Sequence, residues 1–372
     1  MSDETLSMLA SSAEAFAKPD AKRVRHLRDS ETGFDLELWR SIADQGWLSI
    51  LVPESMDGLG LGMAAATVIA RRLGYALFPE PYVASGIMAT RCIASGDCET
   101  LQRRVLPELM SGETIAALAW QGESGSLDIG ACGVTASPSD EGASLNGTCR
   151  FVPVAFADAF MVAARGADGL SLYWVERGAS GLACTPERCA DGGKSARLTF
   201  TKLHVPHTAR IAGPSRAQAA LQQAIDAALV GTSAELVGVM DRALELTLDY
   251  LRTRKQFGRA IGSFQALQHR AVDIWIQKEL ARAAVGAAVR ALDGPKADAR
   301  SQSAAASGAK ARAAHAALAL CKEALQMHGA IGYTDEYELG LYYNRALALS
   351  AWLGNAAEQR RRYGELAGEE AA

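Results

Sequence analysis

The stretch Arg254-Lys-Gln-Phe257-Gly258-Arg-Ala-Ile261-Gly262-Ser-Phe264-Gln265 decides how the rest of the chain is read. It separates two long segments whose apolar residues recur at helical spacing, Arg216 to Thr253 and Gln265 to Leu292. Arg254 offers a planar fork of donors suited to phosphate oxygens. Gly258 and Gly262 permit a tight turn, and Phe257 and Ile261 supply apolar surface for an aromatic ring. Two uses fit these residues: a diphosphate ligand site, or an ordinary corner between helices with a surface arginine. A second such turn lies downstream, Gln326-Met-His328-Gly329-Ala-Ile331-Gly332-Tyr333-Thr334. Its glycines would let a ligand approach the backbone, or would simply end a long helix.

Working outward, the apolar stripe of the first long segment runs through Ile225, Leu229, Leu236, Val239, Met240, Ala243 and Leu246. Ala304 to Gly329 is alanine-rich, and a last helix passes through the 340s. Four such helices with short connections predict a bundle. Upstream, residues 113–212 change character: glycine, serine, proline and asparagine punctuate short β-rich runs such as Ile115–Trp120, Ala159–Ala164, Leu170–Val175 and Ala196–Val205. A small β-barrel or sandwich is expected there. Residues 1–112 read as helices with short breaks, among them Phe34–Trp47, Ala64–Leu73 and Thr100–Met110. The expected order is therefore a helical domain (1–112), a β domain (113–212) and a helical bundle (213–372).

Composition narrows the function classes. Of 372 residues, 49% are hydrophobic and 22% charged, with net charge -4 and a pI near 5.9. A mixed surface of this kind points away from nucleic acid or an anionic membrane as the main partner. No stretch approaches the roughly 20 apolar residues that span a bilayer. MSDETLSMLASSAEAF lacks a basic region followed by an apolar core, so it does not read as a secretory signal. Seven cysteines without a C-x-x-C pair argue against metal ligation and a disulfide framework, and for reduced thiols in the cytoplasm.

Taken together, Arg-x-x-Phe-Gly followed by Gln-x-x-Gly-x-x-Gly resembles the acyl-CoA dehydrogenase family. The stretch Gly46-Trp-Leu-Ser-Ile-Leu-Val-Pro53-Glu54 with Gly58 and Gly60, and Leu106-Pro-Glu-Leu-Met-Ser-Gly112, extend the resemblance over the whole chain. It implies FAD as cofactor, lying at a subunit interface of a tetramer, and α,β-dehydrogenation of an acyl-CoA thioester. By the same resemblance Arg254, Gln256 and Phe257 reach a neighbouring subunit's FAD, as do Gln326, His328 and Gly329, while Ile261, Phe264 and Gln265 line the adenosine end. An electron-transfer flavoprotein is the implied acceptor.

The chain departs from the family where its base should stand. Leu353 occupies the place of the family's C-terminal glutamate, in Trp352-Leu353-Gly354-Asn355, and Asn355 replaces a cofactor-contacting threonine. The alternative position on the first bundle helix falls at Ala228, also not a base. Glu235 and Asp226 are the nearby carboxylates; each reads equally as a plain helix residue, Glu235 beginning an outward face and Asp226 in the first turns. In the β domain the family's aliphatic-Thr-Glu-Pro-Gly run is replaced by Ala119-Trp120-Gln121-Gly122-Glu123, and its Trp-Ile-Thr by Phe151-Val152-Pro153, where proline lacks an amide donor. These departures predict the base-lacking subunit of an α2β2 heterotetramer. The competing expectations are a homotetramer with a relocated base, a flavin oxidase or hydroxylase on the same fold, and a non-catalytic interaction subunit. The pocket for the acyl chain is expected to be shaped partly by Pro81, Tyr82 and Ser85.

Overall fold

A computed structural model describes residues 3–295 and 298–368. The amino-terminal third is helical: α1 (Asp3–Phe16), α2 (Ala21–Arg28), α3 (Leu36–Asp44), α4 (Gly62–Tyr75), α5 (Thr90–Ala94) and α6 (Glu99–Met110). Asp35 starts α3 by accepting hydrogen bonds from the amides of Glu37 and Leu38, and Trp39 and Ile42 turn inward from it. Between α4 and α5 the chain forms a π-helix, Tyr82–Ala89, all eight residues of which are buried. Within it Ser85 Oγ accepts the amide of Ala116 at 3.2 Å.

Eight strands follow: β1 (Ala116–Ala119), β2 (Val134–Ser139), β3 (Gly142–Val152), β4 (Ala159–Gly166), β5 (Gly169–Glu176), β6 (Leu182–Arg188), β7 (Lys194–Pro206) and β8 (Arg210–Ala212). They form one sheet in the order β6-β7-β3-β2-β4-β5-β8, with β1 added parallel to β4. Ala159–Ala164 and Leu172–Val175 are buried on both faces, which explains why β4 and β5 read as continuous apolar runs rather than alternating ones. The β3–β7 register slips between Cys149 and Val152, where Phe151 takes φ +59°. This irregularity falls within the Phe151-Val152-Pro153 run noted in the sequence.

The carboxy-terminal helices are α7 (Ala217–Thr253), α8 (Gln265–Asp293), α9 (Ala299–His328), α10 (Leu339–Ala351) and α11 (Ala356–Ala367), with a two-stranded hairpin, β9 (Lys255–Gln256) and β10 (Arg259–Ala260), between α7 and α8. Alanine at Ala306, Ala309, Ala313, Ala316 and Ala317 buries α9 closely against its neighbours α8, α10 and α11.

The chain divides into two compact units, neither of them one continuous segment. The first comprises residues 1–26, 63–78 and 229–372, the second 27–62 and 79–228. In the first unit α4 is tied to the bundle by backbone contact. A Cβ on Gly74 would lie 2.1 Å from the carbonyl oxygen of Glu235, and one on Gly238 1.8 Å from that of Arg71. Only glycine fits at either crossing point. Asp293, the last residue of α8, closes the same arrangement by accepting the first amides of α4, from Met63 at 2.7 Å and Ala64 at 2.9 Å. In the second unit α6 and β8 meet near Asp97, whose carboxylate accepts the amide of Gly213.

Candidate cofactor-donating loops and the place of the base

The hairpin after α7 holds an aromatic ring in solvent. Phe257 and Gly258 are its two central residues, at φ +52° and +79°, a turn that matches the twist of the flanking strands. For phenylalanine this backbone is unfavourable, yet the side chain is 92% exposed. A strained conformation that displays a large apolar ring is a mark of a binding surface. The ring meets Phe264 edge-on at 6.1 Å, and the Arg259 guanidinium covers the other ring at 4.2 Å. Phe264 caps α8, placing Gln265 at its first turn, and the Ile261 amide donates to the Arg254 carbonyl at 2.8 Å. Arg254, Gln256 and Gln265 all have exposed side chains, and Ile261 is half-buried. The loop therefore brings together Arg254, Gln256, Phe257, Ile261, Phe264 and Gln265.

The second turn closes α9. Gly329 adopts φ +65°, and a Cβ there would meet nothing within 4 Å. Gln326 and Gly329 are exposed, with Ile331 and Tyr333 projecting beyond them. His328 is different: it is only 3% exposed and faces inward, so it presents no surface to a ligand. Its Nδ1 lies 2.8 Å from the Ala324 carbonyl and its Nε2 3.3 Å from the Tyr337 hydroxyl. Burial lowers its pKa, although the Ala324 and Leu246 carbonyls oppose the shift.

The turn after α10 carries Leu353, which is 2% exposed and adopts φ +58°. Its carbonyl accepts the amide of the Gln359 side chain. Leucine offers no proton acceptor at this place. The Asn355 side-chain oxygen accepts from the amides of Ala357 at 2.9 Å and Glu358 at 3.1 Å, while Glu358 accepts the Asn355 amide. This capping box starts α11, so the oxygen of Asn355 serves the helix rather than standing open to a ligand. Replacing Asn355 with alanine is expected to destabilise the chain by about 1 kcal/mol in urea denaturation.

Of the two carboxylates weighed as bases, Glu235 does not begin an outward face. It is 4% exposed on α7, and both Nε (2.8 Å) and Nη2 of Arg345 on α10 donate to its Oε1. Both contacts fall on one carboxylate oxygen and tie Glu235 into the packing of α7 against α10. Asp226, also buried, lies in the second unit and accepts from the Gln222 amide at 2.8 Å. In that unit Gln121 turns its amide to the carbonyls of Gly125 and Ser126. The sequence reading missed the Arg345 partner and the buried Lys310 beneath the Leu353 turn. Their signal is a single charged residue within an apolar helical stripe, which on its own is common.

Residues 3–113 match the acyl-CoA dehydrogenase N-terminal domain and residues 216–367 the acyl-CoA dehydrogenase C-terminal domain. Over 347 residues the chain is 32% identical to the acyl-CoA dehydrogenase FadE27 of Mycobacterium tuberculosis, covering 91% of this chain and 90% of that protein. Among solved structures, it resembles the ChsE4–ChsE5 complex from Mycobacterium tuberculosis, with 29% identity, a TM-score of 0.88, and coverage of 99% of this chain and 98% of that one. It also resembles the FAD complex of PigA, with 25% identity, a TM-score of 0.90, and coverage of 100% and 99%. The chain belongs to the acyl-CoA dehydrogenase family, a family of oxidoreductases. No helix among the described residues is long and apolar enough to cross a membrane, and none of their His, Cys, Asp and Glu side chains cluster as a metal site.

Proposed function

We propose that this chain serves FAD-dependent α,β-dehydrogenation of an acyl-CoA as the base-lacking subunit of a heterotetramer. The observation that carries the reading is the pairing of a buried Leu353 at the glutamate's place with a Glu235 already engaged by Arg345. The reaction needs a carboxylate to take the α proton of the thioester. Leu353 has none, and the Glu235 carboxylate is engaged by Arg345. Bound FAD supplies the hydride acceptor.

The residues present fit one end of that cofactor better than the other. Arg254 and Gln326 offer exposed donors for the diphosphate, and Phe257 an exposed ring for the adenine side. At the place of Trp-Ile-Thr the backbone is irregular at Phe151, and Pro153 has no amide to give. On this reading the chain lends Arg254, Phe257 and Gln326 to FAD held mainly by a related partner. Val272, Trp275, Ile276 and Leu280 form an exposed apolar stripe on α8, at the spacing of one helix face, which suits the partner contact. The resemblance to the ChsE4–ChsE5 complex, which has two components, supports this reading. A bulky acyl-CoA, an electron-transfer flavoprotein as acceptor and a cytoplasmic location with free cysteines complete the proposal.

The test is the visible spectrum, native mass and FAD:chain ratio of the chain purified alone and with a coexpressed related subunit. Alone, the chain is expected to carry clearly substoichiometric FAD; together, one FAD per pair, with turnover appearing only in the mixture. A yellow homotetramer with one FAD per chain that dehydrogenates an acyl-CoA unaided would overturn the reading and direct attention to Asp226.

A further inference from the structure

The two exposed loops share an anchor. Tyr250, one helical turn before Arg254 on α7, stacks on the His328 imidazole with ring centroids 4.5 Å apart and planes inclined by 24°. On its other side His328 lies 4.9 Å from the Tyr337 ring, and Tyr250 and Tyr337 are themselves 6.4 Å apart. The three rings come from α7, the end of α9 and the segment leading into α10.

Hydrogen bonding orients the middle ring. The Ala324 carbonyl can only accept, so Nδ1 carries the proton of that bond. The Tyr337 hydroxyl lies 3.3 Å from Nε2, within hydrogen-bonding distance. Two directional bonds at opposite ends of an imidazole define its plane, and that plane is what Tyr250 stacks on. Gly332 folds back over the same residue: a Cβ there would come within 2.9 Å of the His328 Cβ. Beyond Tyr250, the Arg254 carbonyl closes the hairpin loop by accepting the Ile261 amide. A continuous series of contacts thus runs from the Gln326–Tyr333 turn, through His328 and Tyr250, to the Arg254–Phe264 loop.

We infer that His328 is a positioning residue that sets the register between these two loops, and so the joint presentation of Arg254 and Gln326 to a diphosphate-bearing cofactor. The second half of this inference rests on the functional reading above; the coupling of the loops does not. The bland alternative is a core histidine that merely fills space. The two differ in what the hairpin does when His328 changes, because the hairpin lies beyond Tyr250 and has no bond to the imidazole.

Amide hydrogen exchange on the purified full-length chain decides between them. In His328→Ala, exchange is expected to rise by about tenfold in both 254–264 and 329–337, with β1–β8 unchanged. Tyr250→Leu should reproduce this pattern, whereas Tyr250→Phe, which keeps the ring, should behave as the parent chain. Tyr337→Phe should loosen both loops in the parent and add nothing in a His328→Phe background. Loosening confined to 329–337, or spread evenly through the chain, would overturn the coupling. FAD content is then read on the same variants with the coexpressed related subunit. It is expected to fall in His328→Ala and hold in Tyr250→Phe; loosened loops with full FAD content would overturn the positioning role. If the parent mixture itself carries no FAD, the functional reading fails, while the exchange data still decide the coupling.

Discussion

Glu235→Ala is expected to lower the stability of the fold by about 3 kcal/mol, read as a drop in the urea midpoint at unchanged slope. The reason is the partner left behind. Arg345 reaches Glu235 from 110 residues away, with its side chain 19% exposed, and both of the nitrogens that meet Glu235 converge on one carboxylate oxygen. Removing the carboxylate takes this charge partner from a guanidinium that water can only partly reach. Removing both charges together avoids that penalty, so Glu235→Ala combined with Arg345→Met should be less destabilised than Glu235→Ala alone. Glu235→Gln separates structure from chemistry. It keeps an oxygen for Arg345 and should weaken the fold without abolishing the turnover of the assembled complex. Loss of turnover with stability intact would identify Glu235 as the base and overturn its assignment to the ion pair.

The second large effect lies under the Leu353 turn. Lys310 on α9 is fully buried, and its ammonium donates to the carbonyls of Ser350 (3.3 Å), Trp352 (2.8 Å) and Gly354 (3.1 Å). One side chain thus satisfies the carbonyls where α10 ends and fixes the positive-φ backbone of Leu353. Lys310→Met fits the volume but removes the donor from a group of buried carbonyls, an expected cost of about 2–4 kcal/mol near pH 9. The pH dependence provides a second signature. Burial pushes the Lys310 pKa down to about 7, with Glu358 opposing the shift. Between that value and the ordinary lysine range, the unfolded chain holds a proton that the folded chain has given up. Stability must then rise with pH across this window, by at most about 1.4 kcal/mol per pH unit. Below pH 7 both states are protonated and the burial penalty is fully present. The difference in melting temperature between parent and Lys310→Met should therefore grow from pH 6.5 to pH 9.5. A constant difference would mean that Lys310 stays charged throughout.

These two anchors show where sequence reading stopped. The long helices were legible because their apolar stripes repeat over many turns, and the two loops because Gly258 and Gly329 stand at positive φ where the pattern breaks. Leu353 was legible as an absence, since no environment lets leucine accept a proton. What lay opposite each helix face was not legible. Periodicity placed Glu235 at an edge of the α7 stripe and suggested water beside it; the fold put Arg345 there instead. Lys310 sits among the alanines of α9, and nothing local announces carbonyls some 40 residues downstream. His328 was grouped with its ligand-facing neighbours because adjacency in sequence says little about which way a ring turns at the end of a helix. The strands β2, β3 and β6 also went unlisted among the β runs, being interrupted by glycine, proline and charge.

The π-helix at Tyr82–Ala89 bears on how this chain should be aligned with its relatives. A π-helix behaves as an α-helix that has accepted an extra residue, with hydrogen bonds spanning five positions instead of four. Alignment gaps are normally sent to surface loops, where length changes cost least. In this chain a fully buried helix is itself a place where a one-residue difference in length can be absorbed, by tightening to α-helical pitch. A relative shorter by one residue here would keep its neighbours on both sides in register while rotating what it turns toward the interior.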